Sequence, residues 1–319
     1  MTCRICGHSE GNTPYQFTEM MYGTREVFDY FQCAHCQCLQ IADVPANLSQ
    51  YYPDGYSGYL PPKDSDYTGI GGFFKKSRYK ASTIEKSLFN RLIAAVVPAK
   101  KYMILSRFAL TIHSSILDVG CGFGRYLYPL YNFGMKNVMG IDPFVEPMAY
   151  PGGYRVEKKY IDEVDGQWDL ILYNHSFEHV PDPLQNLLAV HNLLNTNGHC
   201  VIRIPTVSSW AWQHYREHWV QLDAPRHLFI HSRESMRLLA EQANLVLEDV
   251  VYDSGEIQFV MSEKYKAGYS MYEKIADDKS YLQKKIDRFR NLRKATYLNK
   301  ISEGDQATFI LSKKIVIVA

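Results

Sequence analysis

The chain has 319 residues, 35 Lys+Arg against 34 Asp+Glu for a formal net charge of +1, and 46% hydrophobic residues. That length and apolar fraction accommodate a sizeable core in one large domain plus a small one, or in two domains. The near-zero charge excludes a global electrostatic footprint for nucleic acid or an anionic membrane, local patches apart. The longest apolar stretches, such as LIAAVV from Leu92 to Val97, are far too short to span a bilayer, and the opening MTCRICGHSE lacks a signal-peptide apolar core. A soluble, cytoplasmic protein is expected.

The first element is a cysteine framework. Cys3-x2-Cys6 is followed, after 26 residues, by Cys33-x2-Cys36. Two such thiolate knuckles are the usual way to build a tetrahedral zinc site, and in a reducing compartment paired cysteines read as metal ligands rather than disulfides. Cys38 is an alternative to Cys36 as fourth ligand; His8 and His35 are less favoured substitutes. An all-Cys set implies a closed structural site whose binding energy folds a piece too small for its own core. With short alternating runs such as EVFDYFQC, residues 1–42 are expected to form a zinc ribbon of β-hairpins. Cys121 and Cys200 read as small buried residues.

Residues 43–112 are expected to be an aromatic-rich connector followed by helices. Pro, Gly and Tyr dominate up to residue 80, a loop-like composition. Ile84, Leu88, Leu92, Ile93 and Val96, then Met103, Ile104 and Phe108, recur at helical spacing, broken at Pro98. From residue 114 strands and helices alternate. SSILDV, NVMGID, YRVEKKYI, WDLILYN, HCVIRIP, LVLEDVVYD and ATFILSK are the seven expected strands. RYLYPLYNFG is a helix ended by Gly134, DPLQNLLAVHNLLNTNG a helix stopped at Asn197-Gly198, and SRESMRLLAEQAN a helix capped by Ser232. Repeated βα units predict a mostly parallel α/β sheet covered on both faces. The segment 279–300 is basic with helical period and reads as a solvated cover helix, the rival being a contact for an acidic partner or RNA.

The run ILDVGCGFGR, Ile116–Arg125, carries the chemistry. A dinucleotide fingerprint requires Gly where Arg125 stands. The pattern here is Asp118-x-Gly120-x-Gly122-x-Gly124, which resembles motif I of class I S-adenosylmethionine (SAM)-dependent methyltransferases. Asp142 ends the second strand 24 residues after Asp118. WDLILYNHSFEHVPDP and LLNTNGHCVIRIP resemble the fourth and fifth strands of the same family with their flanking loops, in the right order over residues 114–205.

The resemblance implies a Rossmann-like, seven-stranded class I sheet over residues 113–319, with insertions near 206–230 and 254–304. It implies SAM as cofactor. Asp118 would hold the ammonium, Gly120, Gly122 and Gly124 would let backbone approach, and Asp142 would accept from ribose hydroxyls. Asp162, near the expected adenine position, and Asn174, at the end of the fourth strand, complete the set. A zinc module ahead of such a domain resembles bacterial methyltransferases acting on sugars or nucleotide-linked sugars, and also certain ribosomal RNA methyltransferases. The run HWVQLDAPRHLFIHSRESM is similar to the sugar group, and the charge balance opposes an RNA path. The expected acceptor is a small molecule, with nucleic acid and membrane disfavoured; a catalytically silent SAM-binding protein is the further alternative.

Methyl transfer needs a base only if the acceptor must lose a proton. His179 and His227 are the candidate bases, with Glu178 and His175 in the same loop as His179 and Asp223 a partner for His227. Glu178 and His179 could instead cap or orient the following helix. Arg226 reads equally as a fork for a substrate carboxylate or phosphate and as a loop salt bridge. Tyr51, Tyr52, Tyr56 and Tyr59 read as connector packing, the alternative being a lid. Trp210, Trp212, His214, His218 and Trp219 line either an acceptor pocket or a dry cover.

Overall fold

Apolar runs bounded by glycine turns set the elements. The computed structural model describes residues 1–53, 62, 67–84, 92, 96–150, 152–275 and 279–314. In chain order these form β1 (Thr13–Thr18), β2 (Val27–Gln32), β3 (Leu39–Ile41), α1 (Gly69–Thr83), β4 (Ile116–Val119), α2 (Tyr128–Phe133) and β5 (Val138–Ile141). Then come β6 (Met148–Ala149), β7 (Arg155–Glu157), β8 (Trp168–Asn174), α3 (Pro183–Leu193), β9 (Leu194–Pro205) and α4 (Trp210–Tyr215). The last are β10 (Phe229–Ile230), α5 (Arg233–Gln242), β11 (Leu245–Tyr252), α6 (Ile257–Lys266), α7 (Tyr281–Lys300) and β12 (Gln306–Lys313). Two compact bodies result. One gathers Met1–Pro53, His175–Leu187 and Ile202–Lys314; the other gathers Asp54–Asn174 and Leu188–Val201.

In the second body the strand order is β9-β8-β4-β5-β7-β6. β4 runs parallel to β5, with Ile116 opposite Val138, and parallel to β8, with Ile116 opposite Leu170. β5 is parallel to β7, and the short β6 pairs antiparallel with it. All four residues of β4 and the central residues of β8 are buried, which is why both read as continuous apolar runs rather than alternating ones. Leu127, Leu130, Tyr154 and Leu170 pack in the core beneath. β4 has β5 on one side and β8 on the other. This is a switch point, and open α/β sheets bind ligands beyond the carboxyl ends of their strands there.

In the first body β1, β2, β3 and β10 form an antiparallel sheet. Its fourth strand comes from far along the chain: Phe229 lies opposite Gln40. The same body holds β11 antiparallel to β12, with β12 beside β9. Ser232 caps α5 as expected, its Oγ accepting from Ser235 N at 2.9 Å. It also donates to the Cys36 carbonyl at 2.5 Å, tying the cysteine region to that helix. Ser280 caps α7, most of whose residues are exposed.

All seven expected strands form. Numbered by their order in the sequence they lie 3-2-1-4-5-7-6, that is β7-β5-β4-β8-β9-β12-β11, and the last of them makes the antiparallel pair. Some boundaries differ. The helix expected over 182–198 stops at Leu193, because Asn195 Nδ2 donates to Asp169 Oδ1 at 2.6 Å and draws the following residues onto the start of β8. α1 begins inside the stretch expected to be loop; Gly72 is needed there because a Cβ would fall 2.1 Å from the Tyr67 carbonyl carbon. Of the helical spacing expected over 81–110, Lys100–Arg107 is a 3-10 helix, while Leu88 and Ile93 lie outside the described residues. Among the described residues no helix is long and apolar enough to cross a membrane.

Candidate active site

The glycine turn follows β4 in the second body. Gly120, Gly122 and Gly124 have φ of 67°, 53° and 72°, a region side chains rarely tolerate. At Gly124 a Cβ would also stand 2.6 Å from the Tyr154 hydroxyl. The turn is bonded to the end of β5: Gly120 N donates to Ile141 O and Gly122 N to Asp142 Oδ2, both at 2.9 Å. The other Asp142 oxygen accepts from Phe144 N at 2.9 Å. Asp118 and Asp142 are both buried. Burial pushes the Asp118 carboxyl up to about 7, against the pull of Lys101 and with the repulsion of Asp142 added. The fold thus brings Asp118 and Asp142 to the two sides of the turn that carries the three glycines. Asn174 ends β8 half-buried, and Asp162 stands exposed in the 3-10 turn Ile161–Glu163 after β7.

A second constellation lies in the first body. Glu178 is fully buried in the 3-10 turn Phe177–His179, and neither carboxylate oxygen has a hydrogen-bond partner among the described residues. His175 Nδ1 is 3.6 Å from Glu178 Oε1, and His227 Nε2 is 3.9 Å from the same oxygen. The rings of His179 and His227 are 4.9 Å apart. Burial alone would raise the Glu178 carboxyl, but His175, His179 and His227 together hold it down at about 2. Burial lowers the His227 imidazole, against the pull of Asp223 and Glu178. The cluster is a buried carboxylate ringed by three imidazoles, able to exchange protons or to bind a cation.

Arg226 underpins it. The side chain is fully buried; Nη2 donates to Asp223 Oδ1 at 2.6 Å and to Glu19 Oε1 at 2.8 Å, and Nη1 donates to Tyr51 O at 3.0 Å. Glu19 also accepts from the backbone of Tyr22, Gly23 and Thr24. Of the two roles open to Arg226, the structure shows a buried ion pair. Tyr51 is buried and bonded to Glu26, and the Tyr52 hydroxyl lies 3.2 Å from His179 Nδ1. Tyr56 and Tyr59 lie outside the described residues. Trp212 and Trp219 are core side chains, Trp219 Nε1 donating to Asp305 Oδ2 at 3.2 Å.

The sulfurs of Cys3, Cys6, Cys33 and Cys36 lie within 4.8 Å of one another. Each Cys-x2-Cys turn is closed by its backbone: Gly7 N donates to Cys3 O at 2.9 Å and Gln37 N to Cys33 O at 3.0 Å. Gln40 Nε2 donates to Cys3 Sγ at 3.1 Å. Cys38 Sγ points instead to the carbonyls of Leu39 and Ile230.

A family model described as a methyltransferase domain matches residues 87–250, just over half of the chain. The chain belongs to that methyltransferase family. Its sheet is mostly parallel in an α/β fold, as the resemblance implied. The methyltransferase is 30% identical over 95 residues to a ubiquinone biosynthesis O-methyltransferase of Pseudomonas aeruginosa, a match covering 26% of this chain and 40% of that one. It is 32% identical over 94 residues to the enzyme of the same name from Ruegeria pomeroyi, covering 26% and 38%. The matches therefore span about two fifths of these curated relatives' length. Among solved structures, a putative SAM-dependent methyltransferase from Listeria monocytogenes matches with a TM-score of 0.42 and 13% identity, over 68% of this chain and 99% of that one.

Sequence reading of the methyltransferase missed Glu19 and the place of Tyr52. Glu19 sits in a turn with no motif around it, and its partner Arg226 is 207 residues away. The available signal was a lone acid at the end of a β-rich segment, which predicts nothing about its partner.

Proposed function

We propose that this methyltransferase moves a methyl group from SAM to a small hydroxylated acceptor. The observation that carries the reading is the buried pair Asp118 and Asp142 flanking a turn of bare backbone. Two carboxylates at low dielectric are costly unless a cation meets them. SAM brings an ammonium and a sulfonium, and a ribose diol that a carboxylate accepts from, so the residues fit it. A dinucleotide would bring pyrophosphate charge to two acids, and Arg125 occupies the position that its fingerprint keeps for glycine.

In this reading Asp118 holds the ammonium and Asp142 the ribose hydroxyls. Gly120, Gly122 and Gly124 admit the cofactor to the backbone, and Asp162 and Asn174 complete the contacts. When bound, SAM supplies an electrophilic methyl, which leaves alignment and water exclusion to the protein. Glu178, His179 and His227 form the acceptor-side machinery. Similarity to ubiquinone-biosynthesis O-methyltransferases favours an oxygen nucleophile. The resemblance of the Leu222–Leu228 run to sugar-pathway enzymes favours a sugar or nucleotide-linked sugar.

The four convergent thiols of Cys3, Cys6, Cys33 and Cys36 suit a structural zinc, since a closed all-sulfur set leaves no position for chemistry. We read the chain as a zinc ribbon over 1–42, a connector over 43–112 and a methyltransferase domain over 113–319. Calorimetric titration with S-adenosylhomocysteine is the test. Binding that Asp142→Asn weakens supports the reading. No heat with this ligand, together with uptake of NAD, would sink it.

A further inference from the structure

We infer that Glu178, His179 and His227 form a binding site for a divalent transition-metal cation, distinct from the cysteine cluster. One oxygen of Glu178 and one nitrogen of each imidazole lie within 4.8 Å of one another. In a formed site, ligand atoms about 2.1 Å from the ion stand roughly 3–4 Å apart, so the side chains need close by only about 1 Å.

Two features point to a ligand. Glu178 is fully buried and, among the described residues, its two carboxylate oxygens have no hydrogen-bond partner. A buried carboxylate without hydrogen bonds is costly to desolvate, and a bound cation offsets that cost. The second feature is the fixing of both imidazoles. His179 Nδ1 is 2.8 Å from the Arg226 carbonyl, and His227 Nδ1 is 2.7 Å from the Gln221 carbonyl. A carbonyl only accepts, so each Nδ1 carries a hydrogen, and in the neutral imidazole Nε2 is then the nitrogen with the lone pair. Metal-bound histidines are held in this way, donating the second ring N–H to a carbonyl or carboxylate, which sets tautomer and ring orientation.

The support is itself rigid. Arg226, whose carbonyl orients His179, is clamped by Asp223 and Glu19. His175 stays outside the set: its Nε2 pairs with Arg203 Nη1 at 2.7 Å, which turns the Nδ1–H toward Glu178. Two imidazoles and one carboxylate form a nitrogen–oxygen donor set suited to Zn2+, Fe2+, Co2+ or Mn2+, unlike the four thiolates. Three protein ligands leave open positions for water or an oxygen ligand. A cation there would polarise an acceptor hydroxyl and ease its ionisation. That use rests on the methyl-transfer reading; the binding site does not.

The test takes the full chain with zinc loaded in the cysteine cluster and excess metal removed, then titrates Co2+. One Co2+ per chain should bind and give ligand-field absorption without the thiolate charge-transfer band that exchange into the cysteine cluster would add. Electron spin echo measurements on the unmodified protein should show coupling to imidazole nitrogen. His227→Ala and Glu178→Gln should each weaken Co2+ binding at least tenfold, while His175→Ala should leave it within about threefold. Absence of Co2+ binding, absence of nitrogen coupling, or unchanged binding in both ligand variants would overturn the proposal. S-adenosylhomocysteine calorimetry on the same sample separates the two ideas. Cofactor product bound without Co2+ removes only the cation site, and Co2+ bound without cofactor product removes only the methyl-transfer reading.

Discussion

Affinity for S-adenosylhomocysteine should rise about 25-fold between pH 5.5 and 7.5, and Asp118→Asn should remove that slope. The free carboxyl of Asp118 stands at about 7 because it is buried beside Asp142. At pH 5.5 such a group is ionised in roughly 3% of molecules, and at pH 7.5 in roughly three quarters. A ligand ammonium binds the ionised form, so below about 7 a proton must leave before the contact is made. The ratio of the two fractions is the expected gain. The same group acts on the free protein with a definite sign. Its folded value of about 7 exceeds the ordinary 3.8, so the folded state keeps its proton longer. Stability contributed by Asp118 is therefore greatest at low pH and falls as pH rises from about 4 to 7, by up to roughly 4 kcal/mol at about 1.4 kcal/mol per unit. Calorimetry at several pH values on the wild type and on Asp118→Asn reads the binding effect. Parallel profiles for the two proteins, or tighter binding by the wild type at lower pH, would refute the reasoning.

Three further outcomes are expected. Arg226→Ala leaves the buried Glu19 and the partly buried Asp223 without their cation and should cost roughly 3–5 kcal/mol in urea unfolding, whereas an exposed pair such as Arg237 with Glu234 should cost under about 1 kcal/mol. Gly124→Ala places a methyl against Tyr154 at a positive φ; it should destabilise by about 2 kcal/mol in thermal melts and abolish S-adenosylhomocysteine binding. Stripping metal with a chelator should release one zinc per chain from the cysteine cluster and speed amide hydrogen exchange in β1, β2 and β3, and a cluster that loses no zinc and shows no change in exchange would speak against a structural metal there.

Much of the second body was legible because its signals are local. A strand buried on both faces must be apolar throughout, so ILDV and LILY announce themselves. A turn that needs positive φ three times must spend glycines, so Gly120, Gly122 and Gly124 mark the place where β4 ends. Asp118 and Asp142 could be placed because each is tied in sequence to the end of a strand. Boundaries were less legible where one side chain decides them: a single bond from Asn195 to Asp169 shortens a helix whose periodicity runs on. The start of α1 was hidden by its glycines, of which Gly72 is required by packing against Tyr67.

What the sequence by itself determined is the order of strands and helices, the Cys-x2-Cys pairs and the glycine turn, because each rests on residues a few positions apart. Only the tertiary structure decided that Phe229 and Ile230 complete the N-terminal sheet, that Arg226 is neutralised by Glu19 and Asp223, and that Glu178 faces His227. The physical reason is range. Contacts between residues far apart along the chain leave no period to read, and the burial that makes Glu178 and Asp118 unusual exists only once the chain has closed around them.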